Sequence, residues 1–173
     1  LGDAEDIYKR TLSLKPDCAE VHDSLGRLFK ETGRMTEAKS SLRNAVALKP
    51  DFAEAHNNLG TVFQELSQFN KAEESYRRAI MLKPDLAEAR YNLGTLLFEL
   101  GKFKEAIDFF EDNDYRRSQT YLLSCLYCLD QRSNFFDQLD HLTKRGEVNA
   151  IVGSYTSRAA IKYGVKKRNI FAE

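Results

Sequence analysis

The sequence predicts an all-α solenoid of stacked antiparallel helix pairs, and three observations carry that prediction. The chain of 173 residues has only three prolines, Pro16, Pro50 and Pro84, and they are evenly spaced. Gly26, Gly60 and Gly94 keep the same interval, as do Ala38, Ala72 and Ala106. Within each period the apolar residues recur at helical spacing in two separate runs. Residues 19–52 and 53–86 are identical at 15 of 34 positions, and repetition at such a period outranks any local reading. A single helix pair cannot bury its own apolar face, so its neighbours must stack on it.

The elements follow in order. Residues 1–18 fit only the second half of a repeat, with a helix from Ala4 to Leu14 and with Tyr8 and Pro16 at the matching offsets. Three repeats follow over 19–52, 53–86 and 87–112. In the middle copy, Ala55, Leu59, Val62, Phe63 and Leu66 mark a helix over 53–66. Gln68-Phe69-Asn70 breaks it, and a second helix runs from Lys71 to Leu82. Pro84 cannot continue that helix and disfavours helical geometry at Lys83, while Asp85 is placed to cap the next start. Small residues at Gly60 and Ala72 let the two helices approach, with Phe63, Phe69 and Tyr76 filling the space around them.

After residue 112 the register fails: Asn113 stands where Ala is expected and no Pro follows. Helical texture persists in Tyr115–Leu129 and Asn134–Lys144. These predict a degenerate helix pair over 113–145 that closes the stack, since terminal repeats are atypical. Residues 146–173 predict one more helix, Glu147 to Tyr163, ended by Gly164 and followed by an aperiodic tail.

Composition narrows the function. Lys plus Arg and Asp plus Glu each number 26, so no overall charge draws the chain to nucleic acid or to an acidic membrane. A spanning helix needs an unbroken apolar stretch of about 18 residues or more, and no run in this chain is that long. Three cysteines cannot build an extracellular disulfide framework, which favours a reducing, cytoplasmic setting. Cys125-x-x-Cys128 lacks the further ligands that zinc requires, and lacks the strand–helix setting of redox motifs; two small residues on a buried helix face describe it better. His22 and His56 occupy equivalent repeat positions, so packing accounts for them, and His141 stands alone. No phosphate loop or catalytic signature is present. The expectation is a chain without an active site, a metal or a cofactor. The basic cluster Arg158, Lys162, Lys166, Lys167, Arg168 reads as a solvated helix end.

The repeats resemble the tetratricopeptide repeat family. Leu59-Gly60, Phe63, Ala72, Tyr76, Ala79 and Pro84 carry the resemblance, with their equivalents Leu25-Gly26, Phe29, Ala38, Leu42, Ala45 and Pro50 before, and Leu93-Gly94, Leu97, Ala106 and Phe110 after. His22, His56 and Arg90 replace the Trp, Leu or Tyr usual early in the first helix. The resemblance covers residues 1 to about 112. It implies a right-handed superhelix whose first helices line a concave wall that holds an extended peptide or a partner's helix.

By that resemblance the wall residues form columns. Glu20, Glu54 and Glu88 make one; Asp23, Asn57 and Tyr91 a second; Ser24, Asn58 and Asn92 a third. Arg27, Thr61 and Thr95 follow, then Lys30, Gln64 and Phe98. An Asn amide offers donors and an acceptor together, so Asn58 and Asn92 can pair with the backbone of an extended chain; the alternative is that they bond the neighbouring helix. The Asn-Asn-Leu-Gly run at 57–60 is similar to the repeat region of O-linked N-acetylglucosamine transferases. Tetratricopeptide domains that clamp the carboxylate tails of heat-shock chaperones match Asn58 alone. Asp23, Arg27, Glu88 and Asn92 replace most of their cationic clamp, and the Glu column would repel an acidic tail.

The expected function is a non-catalytic protein- or peptide-binding scaffold. A competing expectation is the recognition arm of a larger enzyme. It is motivated by the missing initial Met, the half repeat at residue 1 and the abrupt end at Glu173. Residues 146–164 are similar to connectors in microbial tetratricopeptide proteins carrying a 2-oxoglutarate/iron oxygenase domain. Self-association through the apolar open end of the first helix is a third expectation.

Overall fold

The structure is a computed structural model and describes residues 2–111, 113, 118–144, 158 and 161–163. The helix and tail expected over 146–173, and with them the connector-like segment 146–164, lie outside the described residues except at 158 and 161–163. The described residues form helices and turns without a strand: α1 (Gly2–Leu14), α2 (Ala19–Glu31), α3 (Met35–Leu48), α4 (Ala53–Glu65), α5 (Phe69–Leu82), α6 (Ala87–Glu99), α7 (Phe103–Phe110), α8 (Ser118–Cys128) and α9 (Arg132–Lys144). The chain divides into two compact units, Leu1–Leu96 and Leu97–Glu173.

In the first unit α2 packs on α3 and α4 on α5, with α1 against α2 and α3 against α4. The close approach within each pair is set by a glycine. A Cβ on Gly60 would lie 2.7 Å from two ring carbons of Tyr76, and one on Gly26 would lie 2.5 Å from Cγ of Leu42. Tyr76 and Leu42 occupy the same repeat position and are both fully buried. Ala38, Ala45, Ala72 and Ala79 are likewise sealed, because a larger side chain there would push the helices apart.

The turn inside each pair follows one rule. Gly33, Ser67 and Gly101, again one repeat apart, hold positive φ values of 76°, 57° and 74°. The next residue reaches back over the turn in all three: Arg34 N–H to Phe29 O and Gln68 N–H to Phe63 O at 2.8 Å, Lys102 N–H to Leu97 O at 2.9 Å. This left-handed cap with its 6→1 bond satisfies carbonyls at the helix end. It also lets α5 begin at Phe69, two residues before the expected start, so Phe69 opens the helix and is partly exposed. Asp85 does not flank α6, which starts two residues on at Ala87. In the earlier repeats the cap positions are Cys18 and Phe52, neither with a side-chain capping bond.

In the second unit α7 packs on α8 and α8 on α9. Phe110 stacks on Tyr121 with ring centroids 5.3 Å apart, and Tyr121 meets Phe98 edge-on at 5.2 Å. Phe135, Leu139 and Leu142 bury the inner face of α9. Asp130 takes a positive φ of 58° between α8 and α9, with Gln131 N–H to Leu126 O at 3.0 Å, the same turn reached with a different residue.

Candidate interaction surface

The predicted wall residues lie on α2, α4 and α6, and their environments differ. Arg27 is exposed, and Ser24, Lys30, Asn58, Thr61, Gln64, Tyr91 and Asn92 are half-buried. Asn57 and Thr95 are buried. Phe98 is a packing residue as well as a surface one, its ring 5.3 Å from Phe103 and 5.2 Å from Tyr121.

The asparagines do not bond along their own column. Asn58 Nδ2 donates to Asp23 Oδ1 at 2.8 Å, and Asn92 Nδ2 donates to Asn57 Oδ1 at 3.0 Å. Each bond spans one position more than the repeat and ties a first helix diagonally to the first helix before it. One Nδ2 hydrogen is used in each case, leaving the second and the carbonyl oxygen. Asp23 is buried, and loss of solvent raises its pKa above the ordinary carboxylate value against the Asn58 hydrogen bond and the fields of Arg27 and Lys30.

Other wall side chains are also engaged internally. The Tyr76 hydroxyl donates to Gln64 Oε1 at 2.9 Å, Thr61 Oγ1 to Asn57 O at 3.2 Å and Thr95 Oγ1 to Asn92 O at 2.8 Å. Ser24 Oγ donates to Glu20 O at 2.9 Å.

The glutamate column is neutralised in part. Lys49 Nζ meets Glu20 Oε1 at 3.0 Å, and Lys83 Nζ meets Glu54 Oε1 at 2.9 Å. Each lysine comes from the Leu-Lys-Pro-Asp turn that ends the same repeat, and hydrogen bonding to it lowers the pKa of Glu54. These pairs weaken the repulsion expected of the column, so the departure from the chaperone clamp rests on its missing cations. The histidines are structural: His22 and His56 each bring Nε2 within 3.0 and 3.1 Å of the Pro16 and Pro50 carbonyls. That contact requires Nε2–H on the ring, and burial lowers the pKa of His56.

The two cysteines of the CxxC differ in setting. Cys125 is fully buried and Cys128 exposed, both as free thiols. Burial pushes the Cys125 thiol up to about 12, which is the opposite of an activated nucleophile. In the basic cluster, Lys162 is exposed but engaged, 3.1 Å from Asp130 and 4.3 Å from the Tyr127 ring centroid.

Sequence and structure comparisons bear on the repeats and their fold. A tetratricopeptide repeat model matches residues 51–112, and a second TPR repeat model matches residues 26–67. The chain belongs to the tetratricopeptide repeat proteins. Members of this family mediate protein and peptide binding, and its scaffolds are typically non-catalytic. A comparison with curated protein sequences finds no match. Among solved structures, the tetratricopeptide fold aligns with YrrB, described as a TPR protein with an unusual peptide-binding site. The TM-score is 0.78 at 16% identity, covering 96% of this chain and 93% of that one. It aligns with MamA at TM-score 0.72 and 24% identity over 83% of this chain and 90% of that one. It aligns with pilF of Pseudomonas aeruginosa at 0.70 and 18%, over 87% and 71%. At these identities the likeness is one of fold. No helix among the described residues is long and apolar enough to cross a membrane.

Proposed function

We propose that this chain is a non-catalytic scaffold that holds an extended segment or helix of a partner protein on the wall formed by α2, α4 and α6. The observation that carries the reading is the phased display of half-buried polar groups on successive first helices: Ser24, Asn58 and Asn92, then Thr61, then Lys30 and Gln64, with the exposed Arg27 among them. Asn58 and Asn92 are pinned by the diagonal bonds, so their remaining amide hydrogen and carbonyl are held in place before a ligand arrives. Preorganised groups of this kind lose little side-chain freedom on binding. The peptide-binding description of YrrB supports the same use of the fold. The arm of a larger enzyme is a second reading, supported by the likeness of residues 146–164 to oxygenase-linked connectors.

The test is a pull-down with the full chain beside an Asn58→Ala/Asn92→Ala variant and an Arg27→Ala/Lys30→Ala variant, with captured proteins identified by mass spectrometry. Partners held by the parent and lost by both variants support the wall. The same set captured by all three proteins refutes it. Because the asparagines also stitch helices together, thermal melts of the three proteins accompany the capture.

A further inference from the structure

A second candidate surface, independent of the wall, lies on the first unit. Two adjoining hollows of about 620 and 410 Å³ share Val46, Leu59, Phe63 and Lys71 and run between α3 and α5 over α4. Met81, 62% exposed, stands at one end. Lys39 and Arg43 rise from α3, and Lys71 and Arg78 from α5. Among the described residues none of these four cations makes an ion pair. Lys71 donates to the Gln68 amide oxygen at 3.1 Å and lies 5.7 Å from the Phe63 ring centroid, while Arg78 reaches the Met81 sulfur at 4.0 Å.

The groove one repeat earlier shows what is missing. There Arg34 lies 4.2 Å from the Phe29 ring centroid and bridges Glu5 of α1, at 2.6 Å, to Glu37 of α3. Two carboxylates and one guanidinium thus latch α1 to α3. Advancing by one repeat converts Glu5 to Lys39, Glu37 to Lys71 and Arg34 to Gln68. Both acids have become bases and the bridging base a neutral amide. One repeat further the positions hold Glu73, Glu105 and Lys102, restoring the first pattern in sequence. In the α3/α5 groove the charges of the latch are inverted and its central group is absent.

We infer that this groove binds an acidic peptide segment of a partner protein, with an Asp or Glu carboxylate bridging Lys39 and Lys71 where Arg34 bridges Glu5 and Glu37. An adjacent apolar side chain of the segment covers Val46, half-buried and shared by both hollows. Charge-assisted bonds to a carboxylate are the strong kind, and the apolar floor adds burial that fixes register. A nucleic acid fits less well. Phe63 is 9% exposed, which leaves no open aromatic face for a base, while Glu74, which also lines the groove, opposes either anion alike.

The experiment is fluorescence anisotropy on the full chain with a labelled Asp-Glu-Leu-Asp-Glu-Leu peptide. Its Asn-Gln-Leu-Asn-Gln-Leu counterpart and a labelled oligothymidylate serve as comparison probes. The acidic peptide is expected to bind and the neutral counterpart not. Lys39→Glu/Lys71→Glu is expected to weaken binding about tenfold or more, Lys39→Gln/Lys71→Gln to weaken it less, and Asn58→Ala/Asn92→Ala to leave it unchanged. These lysines are outside the core, so matching circular dichroism melts establish that the variants fold. The inference is overturned if the acidic peptide fails to bind, or binds the charge-reversed protein equally. It is also overturned if oligothymidylate binds as tightly and loses affinity in the same variant, or if only the asparagine variant abolishes binding. The last result would place the peptide on the wall instead, so the two readings fail separately.

Discussion

Asn58 donates to Asp23 at 2.8 Å across adjacent first helices, and Asn92 repeats the bond to Asn57 at 3.0 Å. The acceptor is a carboxylate in one repeat and an amide in the next. Removing the donor leaves a buried acceptor unsatisfied, which costs about 1–3 kcal/mol. Asn58→Ala is expected to destabilise by that amount in urea unfolding, with Asn92→Ala near the lower end because its acceptor is neutral. Equal stability of Asn58→Ala and parent would show that the bond contributes nothing.

Asp23→Asn recreates the Asn57–Asn92 pair one repeat earlier. The raised pKa of Asp23 means the folded chain holds that proton more tightly than the unfolded chain. Its stabilising contribution is therefore complete below the unfolded value and is lost as pH rises through the folded one. Asp23→Asn is expected to be at least as stable as the parent at neutral pH, with the advantage shrinking as the pH falls through the carboxylate range. Glu5, Glu20, Glu37 and Glu54 have lowered values and act in the opposite direction, so the difference between variant and parent is the quantity to plot. A difference that grows toward acid would contradict the assignment.

Ser67 sits in the left-handed region that Gly33 and Gly101 occupy in the flanking repeats. A non-glycine residue there costs about 1–2 kcal/mol, offset by the smaller loss of backbone freedom relative to glycine, about 0.4–1 kcal/mol. Ser67→Gly is expected to stabilise by about 0.5–1 kcal/mol, read as a higher thermal midpoint, and Gly33→Ala to lower it. A lower midpoint for Ser67→Gly would mean the serine side chain contributes more than its strain costs.

Gly60→Ala brings a methyl to within 2.7 Å of the Tyr76 ring. Helix propensity favours the change by about 1 kcal/mol, and overpacking against a fully buried ring opposes it by about 1–3 kcal/mol. The net expectation is a loss that reverses in a Tyr76→Ala background, where the methyl has room. A double-mutant cycle with no coupling would show that the two helices simply slide apart.

Cys128 and Cys18 are expected to react with iodoacetamide well before Cys125, whose thiol is buried and held up at about 12. Peptide mapping of a labelling time course distinguishes them. Early modification of Cys125 in the folded protein would refute its placement in the core.

Much of the fold was legible because the repeat is written redundantly: prolines, glycines and alanines in phase identify helix ends, crossings and sealed positions together. The turn at Gly33 and Gly101 was equally legible in principle, since two glycines placed two repeats apart bracket a position halfway between them. Ser67 hid it by taking a conformation its side chain does not advertise. The candidate surface was harder to read. Columns counted at the repeat period place Asn58 beside Asn92, whereas helical side chains lean toward the N-terminus and the bonds run one position further, to the neighbouring column. Phe98 followed the wall in phase, yet Phe103 and Tyr121 claim its ring. The charge inversion at Lys39 and Lys71 is visible only once the Glu5–Arg34–Glu37 latch is seen in three dimensions.

Lys49 returns to Glu20 and Lys83 to Glu54, each closing a repeat on its own first turn, while Asn58 and Asn92 both offer the same donor to the helix behind. Excising residues 53–86 would leave the first pair untouched, carry the second away whole, and bring Asn92 into the place of Asn58, facing Asp23. At these two kinds of bond the repeats are interchangeable cassettes, and loss or duplication of one changes the length of the stack while the lysine–glutamate pairs and the asparagine stitch keep partners of the same kind.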